Sequence, residues 1–188
     1  MSPKDAHPGD DGTTGLLGEG RLPKYHPRLE TLGALDEASA ALGLARALSR
    51  SEQTGSVLTD IQRDLYAVMT EIAATPENAP GFRILKPGRL EWVESLEESL
   101  SASLPSPQGF ILPGDSPAGA ALALGRTVVR RAERRVAELL DRGEIDNQLL
   151  LKYLNRLSSL CFALELLENR QAGKTTTLAK DTPGSGQD

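Results

Sequence analysis

Five arginines within ten residues form the densest set of chemically active side chains in the sequence. They lie at 126–135, Arg-Thr-Val-Val-Arg-Arg-Ala-Glu-Arg-Arg, where one glutamate leaves a local charge of +4. Arg126, Arg130 and Arg134 are spaced four residues apart and share one face of a helix, and the other two form a second row. Like charges at this spacing repel. Two interpretations stay open: a solvated basic face, or a clamp whose guanidinium forks bind phosphate oxygens.

A glycine-rich run near the N-terminus is a second candidate for phosphate binding. Residues 9–15 read Gly-Asp-Asp-Gly-Thr-Thr-Gly. Glycine lets the backbone approach a ligand, and successive N–H groups with threonine hydroxyls can surround phosphate oxygens. Lys24, nine residues beyond, could add a point charge. An ordinary turn is the alternative, because turns with Gly, Asp and Thr are common. The run is not a P-loop, since it lacks the spacing of that motif.

Two further residues differ in character from their surroundings. Asn155 interrupts a leucine-rich helical run, where a polar residue either forms a cap or binds a ligand. Phe110 lies in a proline-rich connector at 104–115, where an aromatic side chain either covers the end of a bundle or contacts a ligand. One cysteine, Cys161, excludes an internal disulfide and a cysteine-based zinc site. No metal site is predicted.

The charge distribution limits the classes of ligand that the protein is expected to bind. The whole chain carries −5, so the +4 arginine stretch leaves −9 on the rest. This balance argues against nucleic acid and against a membrane surface, and favours a compact anionic ligand. No run of 18 apolar residues exists and the first residues lack a signal peptide, so we expect a cytoplasmic protein without a membrane segment.

Apolar periodicity predicts the elements that must position these residues. Apolar residues recur at helical spacing in five segments, for example Leu150, Leu154, Leu157, Cys161 and Leu164 in the last one. Short links between the segments predict a single all-α domain, an antiparallel five-helix bundle at 28–170 with no strands. We expect residues 1–27 to form a nucleotide-binding arm and residues 171–188 to form a flexible tail.

Seven segments, in this order, resemble the PduO-type ATP:cob(I)alamin adenosyltransferases, and the resemblance covers roughly residues 9–165. They are Gly-Asp-Asp-Gly-Thr-Thr-Gly-Leu-Leu (9–17), Arg-Leu-Pro-Lys (21–24), Leu-Asp-Glu (35–37), Gly-Leu-Ala-Arg-Ala-Leu (43–48), Phe-Ile-Leu-Pro-Gly (110–114), the arginine stretch (126–135) and Tyr-Leu-Asn-Arg-Leu-Ser (153–158).

The resemblance implies a homotrimer with active sites between subunits, which transfers the 5′-deoxyadenosyl group of MgATP to Co(I) of cobalamin or another corrinoid and releases triphosphate. It also implies a reductase that supplies Co(I) and an adenosylcobalamin-dependent mutase that receives the product. The implied ATP-binding residues are Gly9, Asp10, Gly12, Thr14, Lys24, Arg130, Arg131, Glu133, Arg134 and Asn155. The implied catalytic residues are Arg130, Phe110, which helps to drive off the lower ligand of the corrinoid, and the corrinoid-side pair Asp36 and Arg126.

The sequence departs from the family pattern at several positions. Pro8 stands where the family has a threonine, Ser39 where it commonly has asparagine, Asp115 where it has glycine, and Ser159 where it has aspartate. Pro8 also lacks a backbone N–H. These departures keep a second function open, a non-catalytic trimeric paralogue that binds a nucleotide or a corrinoid.

Overall fold

Five helices make up most of the protein in a computed structural model, which describes residue 7 and residues 9–180. The helices are α1 (Pro27–Leu48), α2 (Glu52–Ala73), α3 (Pro87–Ser103), α4 (Pro117–Asp141) and α5 (Gln148–Gln171). A 3-10 turn, Ala79–Phe82, lies between α2 and α3. The prediction of a five-helix, all-α domain is confirmed.

Local capping explains where these helices begin. The Ser51 hydroxyl accepts a hydrogen bond from the amide of Thr54 at the start of α2, and the Ser116 hydroxyl does the same for Gly119 at the start of α4. A proline occupies the first turn of α1, α3 and α4, where its missing N–H costs no hydrogen bond. Gly143, with a φ of +68°, follows the end of α4.

The helices pack in the order α2–α1–α4–α5–α3. The short loops that join α1 to α2 and α4 to α5 make each of these pairs an antiparallel hairpin. α1 and α4 approach closely at Gly125, where an added Cβ would lie 2.7 Å from Cδ2 of Leu42. The α5 stripe predicted from the sequence lies entirely in the core. The arginine stretch is thereby carried on a central helix with neighbours on two sides.

A short β-hairpin precedes the bundle, so the prediction of no strands is wrong. β1 (Thr13–Gly15) pairs antiparallel with β2 (Arg21–Pro23), with Thr14 opposite Leu22. Three-residue strands are too short to produce a recognisable apolar alternation. Their turn depends on tertiary contact, because the amide of Leu17 donates to the carbonyl of Ala73 at the end of α2.

The chain after α5 also differs from the predicted flexible tail as far as residue 180. Leu178 forms an antiparallel bridge with Ile111. The amide of Leu112 donates to the Thr177 carbonyl at 2.8 Å, and the amide of Ala179 donates to the Phe110 carbonyl at 2.7 Å. The polar composition concealed this pairing, because backbone groups rather than side chains form it. Residues 181–188 lie outside the described residues.

Within the part of the chain that the structure describes, no helix is long and apolar enough to cross a membrane.

Candidate active site

The arginine stretch lies on the outer surface of α4. The side chains of Arg130 and Arg134 are exposed, and neither forms an ion pair or a side-chain hydrogen bond with another described residue. Arg131 forms an ion pair with Glu37 of α1, and Arg135 pairs with Glu138 one turn later, at 3.0 Å. Two neighbouring guanidinium groups are therefore free to meet an anion, as a phosphate clamp requires.

A shallow cavity of about 310 Å³ lies beside these groups. It is lined by Arg131, Arg134, Arg135 and Glu138. Three of its four lining side chains are cationic, which suits a polyanionic ligand of small size.

Asn155 of α5 meets Glu133 of α4. Nδ2 of Asn155 donates to Oε1 of Glu133 at 2.8 Å, and Oδ1 of Asn155 accepts from Nη1 of Arg156 at 3.0 Å. Arg156 in turn donates to Glu94 of α3 at 2.9 Å. This chain of polar contacts joins three helices across the surface and brings Asn155 together with Glu133 of the arginine stretch.

The glycine-rich run forms a compact turn that closes on Lys24. Gly9 and Gly12 have φ values of +97° and +76°, which favour glycine. The amide of Lys24 donates to the Gly12 carbonyl at 2.9 Å. A Cβ at Gly9 would lie 3.1 Å from Nζ of Lys24. The predicted residues Gly9, Gly12 and Lys24 are thus adjacent, and their amine and backbone groups can face one ligand.

Further hydrogen bonds hold this turn in shape. Oδ2 of Asp10 accepts from the amide of His7, and Thr14 lies within β1. The Asp11 carboxylate accepts from the amide and hydroxyl of Thr13 and pairs with Arg21. The hydrogen bonds from Thr13, assisted by the charge of Arg21, lower the pKa of Asp11. The turn is therefore preorganised by its own side chains.

The glycine turn and the arginine stretch are not joined within the chain. Among the described residues, no hydrogen bond or ion pair connects Gly9, Gly12 or Lys24 with Arg130 or Arg134. The hairpin that follows the turn is hydrogen-bonded through Leu17 to the end of α2. The chain therefore presents two candidate phosphate-binding elements that no hydrogen bond or ion pair joins in the described residues.

The pair that the resemblance implied between Asp36 and Arg126 does not form inside the chain. Asp36 is exposed on α1. Arg126 is half-buried, and its Nε atom is buried without a hydrogen-bond partner among the described residues. Asp36 is thus turned to solvent, whereas the base of the Arg126 guanidinium is covered by protein.

Phe110 lies at the mouth of an apolar cavity of about 420 Å³. Phe110 is 89% exposed, so within the chain it does not cover the end of the bundle, and its contact with a ligand stays a prediction. The cavity is lined by Pro107, Gly109, Phe110, Ile111, Arg126 and Phe162. One cation in an otherwise apolar wall suits a large ligand with few polar groups at its edge.

Two carboxylates near these sites were missed by sequence reasoning. Glu37 supplies the ion pair of Arg131, and Glu165 is buried near Arg126 with only 1% of its surface exposed. Glu37 lies within the Leu-Asp-Glu segment, which pointed only to Asp36. Glu165 was detectable, because it lies four residues after Cys161 and so continues the inward stripe of α5.

The residues that depart from the family pattern have different surroundings in the structure. The carbonyl of Ser39 accepts from Nε2 of Gln62 at 3.0 Å, a contact that is independent of the side chain. Ser159 is exposed on α5. Asp115 binds Thr177. Pro8 lies outside the described residues.

The sequence profile of the cobalamin adenosyltransferase family matches residues 5–168. The match covers the glycine turn, the arginine stretch, the Phe110 cavity and all five helices except the last residues of α5. The chain belongs to the cobalamin adenosyltransferase family.

Sequence relatives of this cobalamin adenosyltransferase family member extend the match. The corrinoid adenosyltransferase of Mycobacterium tuberculosis strain H37Rv is 41% identical over 167 residues, 86% of each chain. The corrinoid adenosyltransferase PduO of Citrobacter freundii is 36% identical over 173 residues, which are 92% of this chain and 51% of the relative. The chain thus spans about half the length of that relative and of the Salmonella typhimurium PduO.

Solved structures of the same family share the fold. A variant PduO-type ATP:corrinoid adenosyltransferase from Lactobacillus reuteri, complexed with cobalamin and ATP, superposes with a TM-score of 0.86. It is 28% identical, and the match covers 96% of this chain and 99% of that one. A second variant of that enzyme, complexed with ATP, gives a TM-score of 0.85.

Proposed function

We propose that this protein is an ATP:corrinoid adenosyltransferase, which transfers the 5′-deoxyadenosyl group of ATP to Co(I) of a corrinoid. The observation that carries the proposal is the pair of exposed guanidinium groups of Arg130 and Arg134 on α4, which have no ion-pair partner among the described residues. They lie beside Glu133, which Asn155 holds in place. The solved relatives complexed with ATP and with cobalamin support it.

The proposed reaction needs no nucleophile from the protein. Co(I) attacks C5′ of ATP, the cobalt–carbon bond forms, and the bond between C5′ and the triphosphate oxygen breaks. The triphosphate leaves with the electron pair of that bond. The tasks of the protein are to align C5′ with cobalt and to stabilise the charge that develops on the leaving oxygen. Arg130, Arg131 and Arg134, together with the Mg²⁺ of the substrate complex, carry the second task.

The glycine turn completes the ATP site in this proposal. The backbone N–H groups around Gly9 and Gly12 and the amine of Lys24 would bind phosphate oxygens. Asp10 and Thr14 would orient this turn, since both lie within its hydrogen-bonded frame. Because the turn is preorganised, little conformational entropy would be lost when MgATP binds.

The cavity beneath Phe110 would receive the corrinoid. An exposed phenylalanine placed against the lower face of the corrin ring excludes water and the axial base, and removal of that donor makes Co(I) easier to reach. Burial of the ring against the corrin also compensates for its exposure in the free protein. Arg126 would lie at the edge of the same cavity.

We infer that the active unit is a homotrimer whose sites lie between subunits. Two observations support this assembly. Among the described residues, no hydrogen bond or ion pair joins the glycine turn to the arginine stretch, and none joins Asp36 to Arg126. A neighbouring copy would supply the missing half of each arrangement.

Catalysis is tested by incubating the protein with MgATP and chemically reduced cobalamin. We expect a photolabile product with the absorbance spectrum of adenosylcobalamin, together with one equivalent of triphosphate. The Mycobacterium tuberculosis relative, assayed in parallel, controls for the reduction of cobalt. Binding of MgATP and cobalamin without product would instead establish the non-catalytic paralogue, the alternative that the departures from the family pattern keep open.

The interface site is tested by subunit mixing. Lys24→Ala and Arg130→Ala should each be nearly inactive alone, because each removes one half of the site. If the halves come from different subunits, mixed trimers formed after unfolding and refolding the two variants together contain sites with both residues intact, and activity returns. Mixtures that stay as inactive as the separate variants would place both halves in one subunit.

A further inference from the structure

Glu165 is a buried carboxylate on α5, the helix that packs against α4. Only 1% of its surface is exposed, and its Oε1 atom has no hydrogen-bond partner among the described residues. Cys161, one turn earlier on α5, is fully buried. A buried carboxylate with an unsatisfied oxygen is costly, so its position calls for an explanation that leucine packing does not provide.

The charge of Arg126, on α4, acts on this carboxylate. This charge lowers the pKa of Glu165 and also that of Cys161, so the guanidinium lies within electrostatic reach of both. No ion pair joins Arg126 to Glu165 in the described residues, and Nε of Arg126 is itself buried without a partner. The same arginine lines the cavity beneath Phe110. Arg126 therefore both acts electrostatically on a buried carboxylate and lines the proposed corrinoid site.

Burial and the charges around Glu165 together bring its pKa into the neutral range. Burial raises the pKa of Glu165 to about 7, Arg126 opposes this rise, and Asp115 in the loop before α4 adds to it. α3 packs on α5 as well, but no charge on α3 contributes to the shift. The Cys161 thiol, whose pKa burial raises to about 12, stays neutral.

We propose that Glu165 is a positioning residue for Arg126, and that its charge decides whether the guanidinium is held at α5 or extends to the corrinoid side of the cavity. The inference rests on the proposed function. When Glu165 is ionised, it attracts Arg126 in a poorly solvated setting, where opposite charges interact strongly. When Glu165 is neutral, Arg126 is released to an acceptor on the corrinoid side, either an amide oxygen of the ligand or Asp36 of a neighbouring copy.

This arrangement makes corrinoid affinity depend on pH in one direction. Above pH 7 the ionised Glu165 competes for Arg126, and the KM for cob(I)alamin rises. Below pH 7 the competition ends and KM falls. We expect a change of about fivefold across this range, the equivalent of one net hydrogen bond, with little change in kcat, since neither group contacts the reacting atoms.

The test compares the wild-type protein with Glu165→Gln between pH 6 and pH 8.5. At saturating MgATP, we expect the KM for cob(I)alamin to rise with pH in the wild type and to stay near its low value in the variant. Glu98→Gln, an exposed glutamate on α3, is the matched control and should follow the wild type. If glutamine at this buried position prevents folding, Glu165→Leu removes the charge with a similar volume and carries the same expectation.

The outcomes separate this inference from the proposed function. If the wild type forms adenosylcobalamin and Glu165→Gln shows the same pH dependence of KM, the inference is wrong and the proposed function stands. An equal fall of kcat at every pH, with the KM profile unchanged, would also overturn it, because a purely structural role predicts that result. If the wild type binds no cobalamin at any pH, the proposed function fails, and the inference fails with it.

Discussion

Asp115 and Thr177, 62 residues apart, tie the end of the chain to the loop that carries Phe110. The Asp115 carboxylate accepts from the Thr177 amide at 3.0 Å and from its hydroxyl at 2.6 Å. These two hydrogen bonds lower the pKa of Asp115. The aspartate that departs from the family pattern thus has a structural role, since it fastens residues 177–179 alongside residues 110–112.

Replacement of this aspartate should loosen the pairing without unfolding the bundle. In Asp115→Asn, we expect amide hydrogen exchange at Leu112 and Ala179 to accelerate about tenfold, because charge-assisted hydrogen bonds are replaced by weaker ones. Exchange in α4 and α5 should stay unchanged. Asp141→Asn, an exposed aspartate at the end of α4, serves as the control. Unaltered exchange at both amides would show that the backbone pairing holds the segment without Asp115.

Glu165 should make the stability of the protein depend on pH. Its pKa is raised from 4.5 to about 7 in the folded state, so the folded state holds a proton that the unfolded state releases. The stability that protonated Glu165 contributes to the folded state is therefore full below pH 4.5, and it is lost as the pH rises to about 7. The total loss in the free energy of unfolding, once the pH is above this range, is about 3 kcal/mol.

Urea unfolding at pH 5, 6, 7 and 8 measures this loss. In Glu165→Gln the slope between pH 5 and pH 7 should flatten, and at pH 8 the variant should be more stable than the wild type. Glu98→Gln again provides the comparison at an exposed site. Parallel pH profiles for the wild type and Glu165→Gln would show that the carboxylate titrates at its ordinary pKa.

Loss of Arg130 should impair catalysis while leaving the fold intact. Its side chain is exposed and has no partner among the described residues, so Arg130→Ala should change the free energy of unfolding by no more than about 0.5 kcal/mol. We expect kcat for adenosylcobalamin formation to fall by about a hundredfold, the usual effect of removing a group that stabilises a leaving anion. Arg63→Ala, an exposed arginine on α2 paired with Asp60, should retain full activity. A similar loss in both variants would indicate a nonspecific charge effect.

Phe110 should contribute to the reaction with the corrinoid and not to the stability of the fold. Because its side chain is 89% exposed, Phe110→Ala should unfold at the same urea concentration as the wild type. The kcat/KM for cob(I)alamin should fall by about tenfold to a hundredfold, which corresponds to burying one phenylalanine, and the KM for ATP should not change. Tyr66→Ala, an exposed aromatic on α2, is the control. An unchanged kcat/KM in Phe110→Ala would remove the phenylalanine from the proposed site.

Sequence reasoning was most accurate for long periodic elements and least accurate for short or polar ones. The starts of α3 and α4 follow from a first-turn proline, and the end of α4 follows from the glycine stop at Gly143, signals that act locally. The hairpin before α1 was missed, because its strands contain three residues each and depend on contact with α2. The pairing of residues 177–179 was missed because it uses backbone groups, which every sequence shares.

In the candidate site too, features set by local spacing were predictable, and contacts between distant segments were not. The arginine spacing placed Arg130 and Arg134 on one helical surface, because four residues make about one turn. The residue that meets each arginine could not be predicted from spacing. Glu37 reaches Arg131 from another helix, and Glu165 lies opposite Arg126 only because α4 and α5 pack face to face.

The sequence alone determined the helical class, the inward stripes, the family and the residue types available to bind phosphate, since all of these depend on local spacing and composition. Only the tertiary structure decided which charges are paired, which are buried and which stay free. Those properties depend on distances between segments far apart in the chain and on the loss of water around them. For this reason the inward position of Glu165 on α5 was readable from the sequence, whereas its unpartnered oxygen and the nearby charge of Arg126 emerged only from the packing of two helices.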